Sequence, residues 1–423
     1  MTQDTDENAA AEPDSRRWLT KGVGGIGTAS LLADVGHEVP TALLPSLLTS
    51  TLGAPAAVLG VVEGVADALA GGARLVGGAL ADDPRRRQRV AVGGYTATAV
   101  LSSLTGAATQ VWQVAILRAG AWTARGLRVP ARSALLADVV HPSAYGRAYG
   151  FERMMDNLGA VFGPLLALGL VAAFGVRWAI GLSVIPGLLA AAAIVYAIRH
   201  TPRPTLRDRV PMRVRVRPVL RGPLGQLLAA IAAFEVGNVA ATLLILRATE
   251  QLTPTYGLTT ATSLALLLYT GYNLAATLGS LPAGRAADRL GSHGPLWILA
   301  AGIGLFLLAY AGLAVNTAAL AGLAVPFIAA GLAIGCVETA EHAAVAAYAP
   351  AQARGSAFGL LATVQSFGNF AASGIAGLLW TAVGPTWAFA YLTGWMILAA
   401  ILLGRMPPAP APAAIRLDGE EAA

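Results

Sequence analysis

Apolar residues fill long unbroken blocks along this chain, and charged residues gather in short knots between them. Crossing the hydrocarbon of a bilayer takes about 20 apolar residues as a helix. Only helices or closed barrels satisfy their backbone groups there. The blocks are continuous rather than alternating ten-residue stretches, so the pattern predicts helices. Twelve are expected, at about 22–50, 54–81, 90–109, 111–128, 146–174, 177–199, 224–248, 258–284, 295–314, 318–342, 355–381 and 384–404.

Composition agrees with that pattern. The chain has 423 residues, 56% hydrophobic and 12% charged, where a soluble protein carries about a quarter charged residues. It lacks the polar surface to cover a water-exposed globule. The net charge of +6 does not point to nucleic acid, because the arginines sit in short loops between apolar blocks. Cys336 is the single cysteine, which excludes an internal disulfide and a cysteine metal cluster.

Loop arginines set the expected orientation. One set of loops holds Arg85, Arg86, Arg87 and Arg89, then Arg128, Arg132 and Arg147, then Arg285 and Arg289, then Arg354. The opposite loops have none, apart from Arg177 and Arg247 at their edges. The expected layout is therefore a cytoplasmic tail over 1–20, a six-helix bundle over 21–199 and a basic cytoplasmic connector over 200–223. A second six-helix bundle over 224–404 and a cytoplasmic tail over 405–423 complete it. The acidic start, "MTQDTDENAAAEPDS", is unlike a secretory leader. A multi-pass protein of a bacterial inner (plasma) membrane is expected, monomeric, with both termini cytoplasmic. The connector arginines suit anionic lipid headgroups.

The chain repeats itself. "GALADDPRRRQ" begins at Gly78 and "GRAADRLGSHG" at Gly284, 206 positions later. "ADVVHPSAYGRAYG" begins at Ala137 and "AAYAPAQARGSAFG" at Ala346, an offset of 209. Two similarly oriented six-span halves follow, a transporter layout. The chain resembles the major facilitator superfamily over essentially all of residues 20–405. That family's signature between spans 2 and 3 is Gly-x-x-x-Asp-Arg/Lys-x-Gly-Arg/Lys. Gly284, Asp288, Arg289 and Gly291 match it; Gly78, Asp82, Arg86 and Arg87 keep part of it, with Asp83 and Arg85 departing. The resemblance implies an all-α integral membrane fold of twelve transmembrane helices in two pseudo-symmetric bundles. It also implies that Asp82 gates against span 11 and, by pseudo-symmetry, Asp288 against span 5.

Span 5 carries Gly150, Gly159, Gly163 and Pro164, a spacing similar to the superfamily's antiporter signature. Leu166 and Ala167 stand where its last glycines would be. The stripe is expected to make a smooth, bendable interface between halves.

Acids inside a membrane are costly and functional. The first half has three pairs at i, i+4: Asp34 with Glu38, Glu63 with Asp67, Glu152 with Asp156. Shared helix faces put like charges together, which suits proton binding and release. Arg118, equally deep, is the expected counter-ion. In the second half Glu235, Asn238, Tyr269, Tyr272, Asn273, Gln365 and Asn369 are expected to line a mostly apolar substrate cavity. Glu338, Glu341 and His342 are expected near its cytoplasmic end. His37 with Asp34 and Glu38, or His342 with Glu338 and Glu341, could hold a divalent ion, a minority reading; no metal site is expected.

Lys21 has no phosphate-binding glycine loop before it, and "HEVPT" lacks the second histidine of a zinc protease. No enzyme motif and no cofactor are expected, so an ion gradient is left as the energy source. The leading expectation is a secondary transporter, a proton-coupled exporter of small amphipathic organic molecules. An importer or exchanger of a metabolite or divalent metal is the alternative, and a non-transporting membrane sensor or lipid-handling protein the third.

Overall fold

A computed structural model describes residues 18–201, 216–315 and 319–408. Fourteen α-helices run through them: α1 (Lys21–Ser46), α2 (Ala56–Ala81), α3 (Pro84–Leu104), α4 (Val111–Val139), α5 (Tyr145–Leu182), α6 (Val184–Arg199), α7 (Val216–Val219), α8 (Gly222–Gly237), α9 (Ala241–Tyr256), α10 (Leu258–Arg289), α11 (Gly294–Ala314), α12 (Leu320–Tyr348), α13 (Arg354–Val383) and α14 (Pro385–Leu403). The expected tails and connector lie largely outside the described residues.

These helices make twelve crossings. α8 and α9 form the seventh together, broken at Asn238–Ala240. The fifth and sixth meet at Gly175, whose φ of 78° only glycine adopts readily. Gly384, at the same turn of the second half, has φ 109°. Six segments among the described residues, including Pro142–Arg199 and Leu320–Tyr348, are apolar and long enough to cross a membrane by length and composition. Large apolar side chains such as Leu168, Trp178, Val325 and Leu378 face outward, as a lipid-facing surface requires.

The two halves pack alike. In the first, α1 lies on α5 and α6, α2 on α4, and α3 on α4 and α6. In the second, α10 lies on α9 and α12, α11 on α12 and α14, and α13 on α8 and α14. Two seams join the halves, α5 against α10 and α2 against α13.

Sequence boundaries fail most at span 4. It continues beyond 128 to Val139 with Pro130 inside, so Arg128 and Arg132 are buried helix residues rather than loop residues. The orientation argument therefore rests on the remaining loop arginines. The two exceptions also have a structural role. Arg177 donates to the Gly106 and Ala108 carbonyls at the end of α3, at 3.1 and 2.6 Å. Arg247 donates to the Leu313 carbonyl at the end of α11, at 2.9 Å. Both cap helix C-termini with a cation.

Candidate functional site

Each seam is locked at one end by an aspartate on a helix N-terminus. Asp82 Oδ1 accepts from the Ser356 amide at 2.8 Å, and its Oδ2 from the Ser356 hydroxyl at 2.5 Å. Asp288 Oδ1 accepts from the Gly146 amide at 2.7 Å, and its Oδ2 from the amide and Nε of Arg147 at 3.0 and 2.7 Å. Ser356 and Arg147 are third residues of α13 and α5, where unpaired amides and the helix dipole both favour a carboxylate. The pairing expected for both knots is thus present in the geometry. The glycines let the backbones meet: a Cβ on Gly78 would lie 2.7 Å from the Gly355 carbonyl oxygen, and one on Gly284 2.0 Å from that of Gly146.

The arginines expected to gate are placed differently. Arg86 reaches only Asp83 of its own turn, at 3.6 Å, and Arg289 is exposed. Arg87 is the buried one: it donates to the Ala81 carbonyl and pairs with Asp138. Arg354 reaches the same Asp138 from the other half, at 3.3 Å, closing a third bridge at this end.

Removing a lock has a predicted consequence. Each hydrogen bond to a charged group is worth about 1.5–3 kcal/mol. Asp82→Ala or Asp288→Ala therefore shifts the equilibrium away from this closed end by roughly tenfold or more. Spin labels at Arg85→Cys and Gln352→Cys, with Cys336→Ser, should show a longer distance population. An unchanged distribution counts against the locks.

Away from the locks the seams part. Gly60 and Gly64 on α2, and Gly374 and Gly377 on α13, have no neighbouring atom within 4 Å of an added Cβ. A cavity of about 670 Å³ lies between the halves. From the first half it is lined by Asp34, Asp67, Arg74, Trp122, Arg125, Arg128, Arg132, Arg153 and Asp156. From the second it is lined by Glu235, Asn238, Glu338, His342, Gln365, Ser366, Phe367, Asn369 and Phe370. Most of the exposed cavity wall is apolar, as expected, but it carries many more charged side chains than the sequence suggested. Tyr269, Tyr272, Asn273 and Glu341 are not in its lining. Tyr269 and Tyr272 stack on each other with ring centroids 5.7 Å apart, and Asn273 donates to the Tyr269 carbonyl.

The first-half acids are not left facing each other. Arg118 pairs with Glu63 at 2.9 Å and lies flat over Trp122, 3.3 Å from the ring centre. It is not the counter-ion of Asp34; Arg125 is, at 3.7 Å. Trp122 Nε1 donates to Asp67 at 2.8 Å. His37 stands between Asp34 and Glu38, 3.3 Å from each. Glu152 takes Arg132 at 2.9 Å, both Nε and Nη2 of Arg153, and the Ser30 hydroxyl. Asp156 takes Arg132 at 3.2 Å and Arg153 at 3.1 Å. Arg153 also reaches Glu338 of the other half at 3.9 Å. Neither histidine triad converges: among the described residues no three His, Cys, Asp and Glu side chains are grouped for a metal.

The glycine stripe of span 5 also needs correction. Gly150 faces the other half, against the Ser280 carbonyl. Gly159 and Gly163 instead take Asp34 and Glu38 of α1, within their own bundle. α5 stays helical through Pro164, and Gly175 is its non-helical residue.

In the second half two buried acids, Glu235 and Glu341, have amide rather than arginine partners. Glu235 accepts from Asn238 at 3.0 Å beside the break between α8 and α9. Asn369 donates to the Asn238 carbonyl at 2.9 Å and holds that break from α13. Glu341 is fully buried, accepts from Gln365 at 2.8 Å through Oε2, and leaves Oε1 without a partner. Arg74, unremarked in the sequence, crosses from α2 to the Ala362 carbonyl at 2.7 Å and the Ser366 hydroxyl. It is a lone charge in a Gly- and Ala-rich stretch, with no acid nearby in sequence to mark it.

Known proteins share this architecture. Uncharacterized proteins of Mycobacterium bovis and Mycobacterium tuberculosis are 36% identical over 189 residues, 44% of this chain and 46% of theirs. The chain thus spans about half the length of these curated relatives. An uncharacterized MFS-type transporter of Methanocaldococcus jannaschii is 25% identical over 400 residues, 94% of this chain and 98% of that one. Among solved structures, the human organic anion transporter MFSD10 (TETRAN) superposes with a TM-score of 0.68 at 16% identity, over 93% of this chain and 100% of that one. A bacterial homologue of the iron transporter ferroportin in an outward-facing state gives 0.72 at 14% identity, over 90% and 98%. The proton:xylose symporter XylE gives 0.66 at 14%, over 93% and 97%. These likenesses show the fold. The family model described as Major Facilitator Superfamily matches residues 26–268 and 227–422, and with the two locked seams, the repeat and the central cavity it places the chain: this protein belongs to the major facilitator superfamily.

Proposed function

We propose that this transporter exports small amphipathic organic molecules by alternating access, driven by protons, from a bacterial inner membrane with both termini cytoplasmic. The locked end is then the cytoplasmic one, and the cavity faces outward. Its volume of about 670 Å³ falls within the roughly 300–1,000 Å³ of small-molecule sites. Trp122, Phe367 and Phe370 beside charged groups suit a molecule with an apolar body and a polar head. The structural neighbours carry different substrates, so they do not choose one for this chain. The spacing of Gly150, Gly159, Gly163 and Pro164 favours exchange over symport.

The observation that carries proton coupling is Glu341. Among the described residues it is buried, hydrogen-bonded only to Gln365, and has no cation within ion-pair distance. Glu235 is similar. A proton can change the charge of such a carboxyl without first breaking an ion pair. Glu63, Glu152 and Asp156 would each have to release an arginine. Asp34 and Glu38, flanking His37, are intermediate. Gln365 lies on α13, the helix that Asp82 caps, so a charge change at Glu341 acts on a helix of the gate.

In proteoliposomes, an inward-directed proton gradient should accelerate efflux of an amphipathic dye, and a protonophore should remove that gain. Glu341→Gln should transport at one rate with or without the gradient, losing about tenfold in driven efflux. Efflux that persists unchanged after the gradient collapses would sink the proposal.

A further inference from the structure

Arg128 differs from every other arginine of the cavity wall. It is 3% exposed. Yet among the described residues it donates no hydrogen bond and has no carboxylate within ion-pair distance. Its guanidinium lies over the Tyr95 ring, 4.1 Å from Cζ to the ring centre. Arg118, Arg132 and Arg153 rest on carboxylates, Arg74 on a carbonyl and a hydroxyl, and Arg125 near Asp34. A guanidinium presents five N–H donors and no acceptor. The Arg128 nitrogens keep contact with open space on the cavity side, so these donors are free to take a ligand there.

A small void adjoins it. Arg128, Tyr95 and Ser102 line a space of about 10 Å³, enough for one water-sized group. The Tyr95 and Ser102 hydroxyls are buried without a hydrogen-bond partner. Thr98, in the same lining, is already bonded to the Gly94 carbonyl at 2.7 Å. Arg128 also lines the large cavity, so the same side chain borders both spaces. Asp34 on this wall is occupied by His37 and Arg125.

We propose that Arg128, with the hydroxyls of Tyr95 and Ser102, is an anion subsite that holds the negatively charged head of the transported molecule. One oxygen of a carboxylate fits the void, while the apolar body lies along Trp122 and Phe367. The proposal rests on the transporter reading above and narrows its substrates to organic anions. A free inorganic anion such as chloride is the other source of the same chemistry.

The test is thermal melting of the purified full chain in halide-free buffer, with 2-naphthoate, 2-naphthamide, 2-naphthylmethylammonium or sodium chloride added. Naphthoate should raise the melting temperature by about 3 °C or more, with no rise from the amide or the ammonium. Arg128→Gln should remove that rise, Arg128→Lys should keep part of it, and Tyr95→Phe and Ser102→Ala should each shrink it. An equal rise from amide or ammonium, or a naphthoate rise intact in Arg128→Gln, overturns the subsite. A rise from chloride with none from naphthoate overturns its assignment to the substrate head, and no rise from either overturns it altogether. If Arg128→Gln does not fold, Ser102→Ala and Tyr95→Phe decide. The measurement is at equilibrium without a gradient. Naphthoate binding with gradient-independent efflux would sink the proton-coupled reading and leave the subsite standing; the reverse result separates them the other way.

Discussion

Gly284→Val stops transport while the protein still folds and inserts. A Cβ at Gly284 would sit 2.0 Å from the Gly146 carbonyl oxygen and 2.6 Å from its carbon. Both are backbone atoms of α5, so no side-chain rotation relieves the clash. At the other seam a Cβ on Gly78 meets the Gly355 oxygen at 2.7 Å and the Gly359 Cα at 2.8 Å. The obstacle exists only while this end is closed. The variant is therefore excluded from one of the two states a transport cycle needs, rather than unfolded. Overpacking of a close contact costs about 1–3 kcal/mol even where side chains can yield. Two backbones cannot yield as far, and the geometry of the Asp288 lock on Gly146 and Arg147 goes with them. Turnover should fall at least ~100-fold, at about 1.4 kcal/mol per factor of ten. Gly93→Val on α3 and Gly394→Val on α14, exposed positions off both seams with nothing within 4 Å, are the controls. They should transport normally. Measured rates in proteoliposomes, with label distances across the locked end, separate a jammed gate from a misfolded protein. Wild-type turnover in Gly284→Val would mean that the close backbone approach has no part in the cycle.

The fold was readable because it repeats. Spacing between the knots placed Asp82 and Asp288 at matching corners, and a carboxylate beside a helix start has few other physical uses. Gly175 and Gly384, 209 positions apart, carry the same signal and went unread, since a positive φ leaves no mark in the sequence beyond a glycine. The cavity was read less well. Charge pairs at i, i+4 look like repelling acids when only one helix is considered. Arg118, Arg125 and Arg132 reach them from α4, distant in sequence, whereas Arg153 is a neighbour on α5 itself whose pairing with Glu152 and Asp156 went unread. Arg128 and Arg132 were assigned to a loop because a basic run beside Pro130 resembles a helix end. Glu341 was taken for a cavity residue, and its isolation from any cation depends on which way α12 turns. Helix periodicity alone does not fix that rotation.

The largest loss of stability is expected at Arg153→Gln. Arg153 holds Glu152 through two hydrogen bonds, at 2.7 and 2.8 Å. It also holds Asp156 at 3.1 Å and approaches Glu338 at 3.9 Å. Arg153 and Glu152 are both buried. Without Arg153, Arg132 alone faces three acids, one of them on the opposite bundle. Removing one partner of a buried ion pair costs about 3–5 kcal/mol, mostly because the remaining charge is left uncompensated. That predicts a fall of about 5 °C or more in apparent melting temperature. The same reasoning gives the control its sign. Arg153→Gln with Glu152→Gln removes the orphaned charge, so the double variant should recover most of the loss. A coupling of at least ~1 kcal/mol between the two sites is expected for groups in direct contact. Arg125→Gln, whose only acid is 3.7 Å away and whose side chain is partly exposed, should melt within a degree or two of wild type. Glu338 adds a functional reading: Arg153 is a link from α5 to α12 across the cavity, so Glu338→Gln should leave stability nearly intact but alter transport. If Arg153→Gln and Arg125→Gln melt alike, the network is a solvated surface of the cavity rather than a buried clamp, and the contrast drawn here between tethered first-half acids and untethered Glu341 loses its basis.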